Sequence, residues 1–374
     1  MKTHSISLGR DRGKDIIMCN IAGYTGQKRA APILIEMLRR QQYIDGGRCT
    51  GIATIHEGKL YTAKAKGDVD ALLQQTGAWE LPGTTGIIHC RPSYNMLSHC
   101  HPFTDDGDTL AIVANGTWRD VSCPAFTADS NAIMEDYIAR GMTVKSLYKS
   151  DMGTAMKNGY SYHGSELFAL MIGDLLKKWG AVSRETMLNA MQKALSARPA
   201  DVVVVGIHQD LPDTVTVGTV TRPMAVGLAE GEAYIATTPI AFPEDVSFRH
   251  IQYAPAASIS QVTPDGWRLT DKAIEGTQAE SIDYRIAAAV YARMEKILKE
   301  GPASLYDFDA WRDWRDLWQE PLVDCKYANE NGCLKPYAIA IYEALWSFYK
   351  EGRLRSRMPL PEEKHQFLKF WLEN

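Results

Sequence analysis

The segment Met18-Cys19-Asn20-Ile21-Ala22-Gly23-Tyr24 places a cysteine directly after a methionine and directly before an apolar, β-prone run that ends in glycine. Cleavage of the chain before Cys19 would leave a thiol and a free α-amine on the same residue. Such an amine can act as the base for its own thiol, because the two groups are already within reach of each other. The segment therefore predicts a cysteine nucleophile beside a strand.

Further motifs follow this segment along the chain. They are Thr50-Gly51-Ile52-Ala53, Gly86-Ile87-Ile88-His89-Cys90-Arg91, His101-Pro102 and Leu110-Ala111-Ile112-Val113-Ala114-Asn115-Gly116. Together with the cysteine segment, they resemble the glutaminase domain of the class II glutamine amidotransferases, a family of N-terminal-nucleophile hydrolases. The pattern is most similar to the glutaminase half of glucosamine-6-phosphate synthase, and the resemblance covers residues 19 to 272.

The resemblance implies a division of roles among the residues of this chain. Cys19 is expected to attack a carboxamide carbon, and Asn115 and Gly116 are expected to hold the resulting oxyanion. The expected substrate-binding residues are Arg91, His89, Ser165 and Glu166. An arginine suits the substrate's α-carboxylate because its planar fork offers two parallel donors. Without the resemblance, Asn-Gly would indicate a hairpin turn and Arg91 a solvated charge.

Four positions depart from the family pattern. They are Asn20 in place of glycine, the rearranged charges of Asp45–Gly51, Pro92 in place of an aromatic residue, and Gly164 in place of aspartate. The last departure matters most, because that aspartate holds the substrate's α-amine in the family, and an ammonium without a carboxylate partner is poorly held. Either Asp129, Asp151 or another acid substitutes for it, or the substrate is not free glutamine.

Composition narrows the classes of partner. The 374 residues include 41 basic and 45 acidic side chains, and a net charge of -4 argues against nucleic acid or an anionic membrane as the main partner. No apolar run is long enough to span a bilayer, and the first 18 residues lack the apolar centre of a secretory signal, so we expect a cytoplasmic protein. Seven dispersed cysteines predict reduced thiols.

A metal or cofactor is not expected. Histidines and cysteines cluster between His89 and His101, but His89 and Cys90 would point to opposite faces of a strand, and the spacing fits no common zinc pattern. There is also no glycine-rich phosphate loop. The expected ligand is glutamine, a small molecule.

Periodicity predicts the fold class. Nine β-rich runs lie at Asp15–Tyr24, Thr50–Ala63, Thr84–Cys90, Leu110–Ala114, Asp201–Ile207, Thr214–Thr221, Ala225–Leu228, Ala233–Thr237 and Ser258–Thr270. Helical patterns lie at Ala31–Gln42, Asn131–Arg140, Ser165–Trp179 and Arg184–Ala197. We expect an α+β protein in which residues 19–272 form the four-layer α/β/β/α sandwich of an N-terminal-nucleophile hydrolase.

Two further segments flank that domain. Residues 1–18 are interpreted as an extension or propeptide. Residues 273–374 are expected to form a helical appendage with helices near 281–300, 307–319, 335–351 and 361–373. Trp311, Trp314 and Trp318 would share one helix face there, either packing the appendage onto the first domain or docking a partner.

Three functions remain open from the sequence. The first is a glutaminase subunit that hydrolyses the glutamine side-chain amide through a Cys19 thioester and passes ammonia to an acceptor enzyme on another chain. The second is a hydrolase of some other amide, and the third is a non-catalytic regulatory or scaffold subunit, with homo-oligomers possible in each case. The extension before Cys19 is either removed, the result of a start site placed too early, or a sign of lost catalysis.

Overall fold

The computed structural model describes residues 19–92, 96–117, 124–150, 155–198, 200–275, 278–279, 282, 284–305, 333–334, 337–363 and 367–373. The strands are β1 (Asn20–Thr25), β2 (Cys49–His56), β3 (Lys59–Lys66), β4 (Thr85–Arg91), β5 (Phe103–Thr104), β6 (Leu110–Thr117), β7 (Tyr148–Lys149), β8 (Tyr160–Ser161), β9 (Asp201–His208), β10 (Val215–Thr219), β11 (Ala225–Ala229), β12 (Glu232–Ala236), β13 (His250–Tyr253), β14 (Ser258–Thr263), β15 (Gly266–Leu269), β16 (Gln278–Ala279), β17 (Cys333–Leu334), β18 (Leu354–Arg357) and β19 (Lys369–Leu372).

The helices are α1 (Ala30–Asp45), α2 (Val69–Gln75), α3 (Pro124–Ala139), α4 (Gly164–Trp179), α5 (Arg184–Ala197), α6 (Tyr284–Glu300) and α7 (Tyr337–Lys350). Short 3-10 turns lie at Ala78–Glu80, Leu97–His99 and Pro239–Ala241. None of the helices in the described ranges is long and apolar enough to cross a membrane.

Two antiparallel sheets form the centre of the molecule. The first sheet has seven strands in the order β13-β11-β12-β1-β4-β2-β3, and the second has six in the order β15-β14-β10-β9-β6-β5. Strand β1 lies in the middle of the first sheet, between β12 and β4. The segment that begins at Cys19 is therefore fixed by ladders on both sides.

The sheets share one apolar core, and helices cover their other faces. The shared core contains Ile21 and Ile87 from the first sheet and Val113 and Val203 from the second. The opposite face of the first sheet packs on α1, while α4 and α5 pack on the opposite face of the second. Because both faces of the central strands are buried, they appear in the sequence as continuous apolar runs such as 202–205.

The predicted strands and helices up to residue 272 are confirmed, and two predicted runs prove to be hairpins. The run Thr50–Ala63 divides into β2 and β3, with Glu57 and Gly58 both at positive φ in the turn. The run Ser258–Thr270, whose Pro264-Asp265-Gly266 turn predicts a hairpin, divides into β14 and β15 around that turn, which confirms the prediction. The start of Asp15–Tyr24 lies outside the described residues.

The C-terminal part is mixed rather than wholly helical. Helices α6 and α7 confirm two predictions, and the stretch 307–319 with its three tryptophans lies outside the described residues. The helix expected at 361–373 is wrong, because Lys369–Leu372 is a strand that pairs with Leu354–Arg357. Aromatic residues in this run favour an extended chain, and Phe370 gains a further backbone partner in Ala303.

A disulfide corrects the prediction of reduced thiols. Cys49 and Cys100 are bonded across 51 residues of sequence, with their Cα atoms 5.5 Å apart. Both side chains are fully buried. The bond joins the first residue of β2 to the loop between β4 and β5, which sequence spacing could not reveal because it depends on how the strands align.

Candidate active site

The candidate catalytic residues meet where three strands end between the sheets. Cys19 immediately precedes β1, Arg91 is the last residue of β4, and Asn115 and Gly116 lie near the end of β6. Asn20 pairs with Cys90 across β1 and β4, so Cys19 lies beside Arg91. Because side chains alternate along a strand, both residues share the face of Ile21 and Ile87, which points toward the second sheet.

The Asn115 side chain bridges the two sheets at this point. The backbone nitrogen of Cys19 donates a hydrogen bond to Asn115 Oδ1 at 2.9 Å. Since that nitrogen can only donate, the amide must present its oxygen to Cys19 and its Nδ2 in the other direction. Asn115 is 1% exposed, and Nδ2 has no hydrogen-bond partner within the described part of the chain. A buried amide donor is thus left next to Cys19.

The ladder between β6 and β9 shows which way the Gly116 backbone N–H is directed. The carbonyl of Val202, which faces Gly116 across β6 and β9, accepts from Val220 on the other side of β9. The Val202–Gly116 pair is therefore a non-hydrogen-bonded pair of the ladder, and the Gly116 N–H is turned away from β9. Gly116 has a φ of 130°, and a Cβ there would lie 2.0 Å from the Asp201 carbonyl oxygen, so glycine is required.

Arg91 places a half-buried cation beside the thiol. Its Nη1 donates to the His99 carbonyl at 2.9 Å, which fixes the guanidinium. Burial lowers the pKa of Arg91, and the nearby Cys19 thiolate raises it. An arginine remains protonated in either case. A fixed positive charge next to a cysteine favours the thiolate form of that cysteine.

His89 lies between the sheets against His101, with ring centroids 3.7 Å apart and ring planes inclined at 35°. No described residue forms a hydrogen bond with the ring nitrogens of His101, whereas the backbone of Ala114 approaches the His89 ring. Burial lowers the pKa of both imidazoles well below the usual value, so both rings are neutral near pH 7. The described residues contain no group of three or more His, Cys, Asp or Glu side chains arranged to hold a metal ion.

Ser165 and Glu166 occupy the first turn of α4 and are buried. The Glu166 carboxylate accepts from the backbone nitrogens of Lys145 at 2.6 Å and Ser146 at 2.9 Å, and from the Ser146 hydroxyl. Burial raises the pKa of this carboxyl, and these donors lower it. The Ser146 carbonyl lies 3.1 Å from His99 Nε2. The structure thus connects Glu166 to Arg91 through Ser146 and His99.

The departures from the family pattern have clear positions. The Asn20 side chain is buried against α1, where its Nδ2 donates to the Gln42 carbonyl at 3.3 Å. Gly164 is the first residue of α4. Asp129 is mostly exposed and pairs with Arg198 at 3.6 Å, while Asp151 lies outside the described residues. Asn20 therefore ties β1 to α1.

Two residues that the sequence analysis did not identify hold the strand beside Cys19. Thr237 Oγ1 accepts from the Ile21 nitrogen at 2.9 Å, and the Thr237 nitrogen donates to the Ile21 carbonyl at 3.0 Å. Gln41 Nε2 donates to the same carbonyl at 2.9 Å. Gln41 and Thr237 are completely buried. A polar residue among the apolar positions of α1 was the available signal for Gln41.

Comparison with known proteins confirms the resemblance to the class II glutamine amidotransferases. The chain is 26% identical to the glutamine–fructose-6-phosphate aminotransferase (isomerizing) of Pyrococcus horikoshii over 228 residues, which is 60% of this chain and 33% of that protein. It is 28% identical to the Leifsonia xyli subsp. xyli protein of the same name over 274 residues, 71% of this chain and 39% of that one. The Thermus thermophilus protein is 28% identical over 280 residues, 73% and 40% respectively.

The chain thus spans between 33% and 40% of the length of these three relatives. No protein-family profile matches it. Among solved structures, the glutamine phosphoribosylpyrophosphate amidotransferase of B. subtilis has a TM-score of 0.49 and 16% identity, over 67% of this chain and 49% of that chain. A glutamine aminotransferase class-II domain protein from Silicibacter pomeroyi has a TM-score of 0.43 and 11% identity, over 68% and 99%.

Proposed function

We propose that this protein is a glutamine amidotransferase subunit that hydrolyses the side-chain amide of glutamine through Cys19. The observation that carries the proposal is the bond from the Cys19 nitrogen to Asn115 Oδ1, which leaves Asn115 Nδ2 as a buried donor beside the thiol. The curated relatives, whose names describe aminotransferases that use glutamine, support the choice of substrate.

The first step is the activation of the thiol. After cleavage before Cys19, its nitrogen becomes an α-amine with an unperturbed pKa of about 7.7–8.0. Asn115 Oδ1 keeps its hydrogen bond to this amine and holds it in place. The amine takes the thiol proton, and the Arg91 charge stabilises the thiolate.

The second step is attack on the amide. The thiolate bonds to the carboxamide carbon, and negative charge develops on the amide oxygen, where Asn115 Nδ2 and the Gly116 N–H donate. The proton held by the α-amine passes to the leaving nitrogen, so ammonia departs and a Cys19 thioester remains. Water then hydrolyses the thioester to glutamate. Arg91, held by the His99 carbonyl, binds the α-carboxylate.

The proposal includes the four-layer arrangement of an N-terminal-nucleophile hydrolase over residues 19–272, with the remainder as an appendage. The shared core between the sheets and the helices on their outer faces support this layering. It also includes transfer of the ammonia to an acceptor enzyme on another chain. Co-purification of an ammonia-dependent synthase from the native cell tests that part.

A second candidate is hydrolysis of an amide that bears a carboxylate but no α-ammonium. The observation that favours it is Gly164, which stands where the family has an aspartate and begins α4. The start of a helix carries partial positive charge, which disfavours a cation. Replacing the α-ammonium of glutamine with an acetamide would test this preference directly.

The deciding experiment uses protein whose N-terminus is Cys19, verified by mass spectrometry. Ammonia release is measured with glutamine, N-acetylglutamine and asparagine, and repeated with Cys19→Ala. Cys90→Ala is the matched control, because Cys90 is a buried cysteine outside the disulfide that faces α1. Glutamine turnover lost only in Cys19→Ala supports the first proposal. Turnover of N-acetylglutamine alone supports the second, and turnover of neither indicates a non-catalytic protein.

A further inference from the structure

A buried ion pair is formed by a residue of the β9 segment that contacts Gly116. Arg222 is 2% exposed, and its Nη2 donates to Asp201 Oδ2. The other carboxylate oxygen accepts from the Thr221 hydroxyl at 2.5 Å. Asp201 and Thr221 are also buried, so the three side chains form a network with little access to water.

This network is attached to the strand that supports Gly116. Asp201 is the first residue of β9 and faces Thr117, the neighbour of Gly116, across the ladder. The place that a Gly116 Cβ would occupy lies 2.0 Å from the Asp201 carbonyl and 2.7 Å from Val202 Cα. The backbone of residues 201–202 is therefore the surface against which Gly116 rests.

Arg222 also belongs to a chain connection between the two sheets. It lies in the segment between β10 of the second sheet and β11 of the first, and Val220 in the same segment donates to the Val202 carbonyl at 2.9 Å. That bond keeps Val202 facing β10 and leaves the Gly116 N–H turned away from β9. The ion pair and this backbone bond thus fix the same two residues from the same side.

A buried ion pair is weak evidence for stability, since well-packed apolar residues are often as stabilising. What an ion pair adds is a defined geometry, because the guanidinium and carboxylate meet in few orientations. An oxyanion donor needs such a defined position, since catalysis is sensitive to small displacements of positioned groups.

We propose that the Asp201–Arg222 pair is a positioning unit that holds the Gly116 peptide in place for the oxyanion. This inference rests on the proposed amide hydrolysis. Arg222 and Asp201 act through the backbone of β9 and contact no substrate atom in the mechanism above.

The test uses separate single variants. Arg222→Met removes the ion pair, and Thr221→Val removes one partner of Asp201 but leaves the ion pair in place. Arg140→Met is the matched control, because Arg140, which directly follows α3, also pairs with a buried aspartate, Asp174 of α4. Two quantities are measured: kcat and KM for glutamine, and hydrogen exchange of the peptide that contains residues 110–117.

We expect Arg222→Met to lower kcat at least about tenfold with less than a twofold change in KM, since loss of one oxyanion donor costs about 100- to 1,000-fold. Exchange of residues 110–117 should accelerate, while that of β1 stays unchanged. Thr221→Val should shift both readouts in the same direction by less. Arg222→Lys keeps the charge but loses the planar guanidinium; it should also lower kcat and accelerate exchange, and it decides the matter if Arg222→Met does not fold. Arg140→Met should leave both unchanged.

Normal kcat and normal exchange in Arg222→Met would overturn the inference. So would a kcat that falls equally in Arg140→Met, because that would indicate general destabilisation. If the wild-type protein releases no ammonia from any amide, the proposed function fails. The exchange measurement still decides, in that case, whether Arg222 orders the Gly116 segment.

Discussion

At the scale of single residues, Asn115 has two roles in the proposed chemistry. Its oxygen accepts from the Cys19 nitrogen, and its nitrogen is left for the substrate oxygen. The side-chain amide offers an acceptor and a donor on one rigid plane. From the sequence alone, Asn115 and Gly116 could equally have been assigned to a hairpin turn.

The substitution Asn115→Asp separates these two roles. An aspartate retains an acceptor for the Cys19 nitrogen but lacks the donor and adds negative charge next to the thiolate. We expect kcat for glutamine to fall by about 100- to 1,000-fold. Asn158→Asp, on an exposed turn, is the control and should leave kcat unchanged. A wild-type kcat in Asn115→Asp would show that Asn115 is not part of the oxyanion hole.

The buried histidine pair predicts an effect of pH on stability. The pKa of His101 is held low first by burial and then by repulsion from the protonated forms of His89, His163, Arg91 and Lys64. The unfolded chain therefore binds more protons than the folded one below about pH 6.5, and stability must fall as the pH falls. We expect each such histidine to contribute a slope of about 1.4 kcal/mol per pH unit.

The measurement is urea unfolding at intervals between pH 7 and pH 5 for the wild type and for His101→Leu. Leucine cannot titrate, so the loss of unfolding free energy across this window should be smaller in the variant. Other acid-sensitive groups are common to both proteins and cancel in the comparison. Equal losses in the two proteins would show that His101 is not held neutral.

At the scale of elements, the first turn of α4 supports Arg91 without touching it by any described contact. Glu166 anchors residues 145–146, which hold the His99 ring, and the His99 carbonyl binds Arg91. A role in binding the substrate was predicted for Glu166 and stays a prediction. The contacts support an indirect route for it.

Glu166→Gln should weaken glutamine binding more than it slows chemistry. The introduced amide offers one acceptor oxygen, whereas the Glu166 carboxylate uses both of its oxygens. One hydrogen bond from residues 145–146 is therefore lost. We expect KM to rise about three- to tenfold, which matches the net loss of one ordinary hydrogen bond, while kcat changes less than twofold. Steady-state kinetics measure both values.

Glu185→Gln is the control, because Glu185 lies in the first turn of the neighbouring helix α5 and is half exposed. Its KM should equal that of the wild type. A fall in kcat without a change in KM for Glu166→Gln would contradict the route through Arg91.

At the scale of the whole molecule, the C-terminal elements and the first sheet share one core. Phe370 of β19 and Tyr342 and Phe348 of α7 belong to the same buried cluster as Leu34 and Leu38 of α1. The Leu368 nitrogen also donates to the Tyr43 carbonyl at 2.7 Å. Helix α1 thus lies between these elements and the strand next to Cys19.

The substitution Phe370→Ala should therefore destabilise the whole shared core and not the β18–β19 hairpin alone. Removal of a buried aromatic side chain typically costs about 3–5 kcal/mol of unfolding free energy. Because the core is shared, thermal unfolding should remain a single transition at a lower Tm. Leu360→Ala, at an exposed position, should change Tm little. An early separate transition in Phe370→Ala would show that the C-terminal elements unfold independently.

The amino-acid sequence by itself predicted most strands and helices up to residue 272, but not β5, β7, β8, β13 or α2. The predicted elements follow from side-chain periodicity, which depends on residues close together in the chain. The candidate roles of Cys19, Arg91 and Asn115 are what the resemblance to a known family implies. The helix expected at 361–373 was wrong, because pairing with a strand at 354–357 outweighed its local pattern.

The tertiary structure alone decided which distant groups meet. The Cys19–Asn115 bond joins residues 96 apart, the disulfide joins residues 51 apart, and the described contacts link Glu166 to Arg91 through two intermediate residues. Sheet register and the packing of two sheets set these contacts. Neither has a signature in any short stretch of sequence, because a one-residue change in register would turn every side chain of a strand to the opposite face.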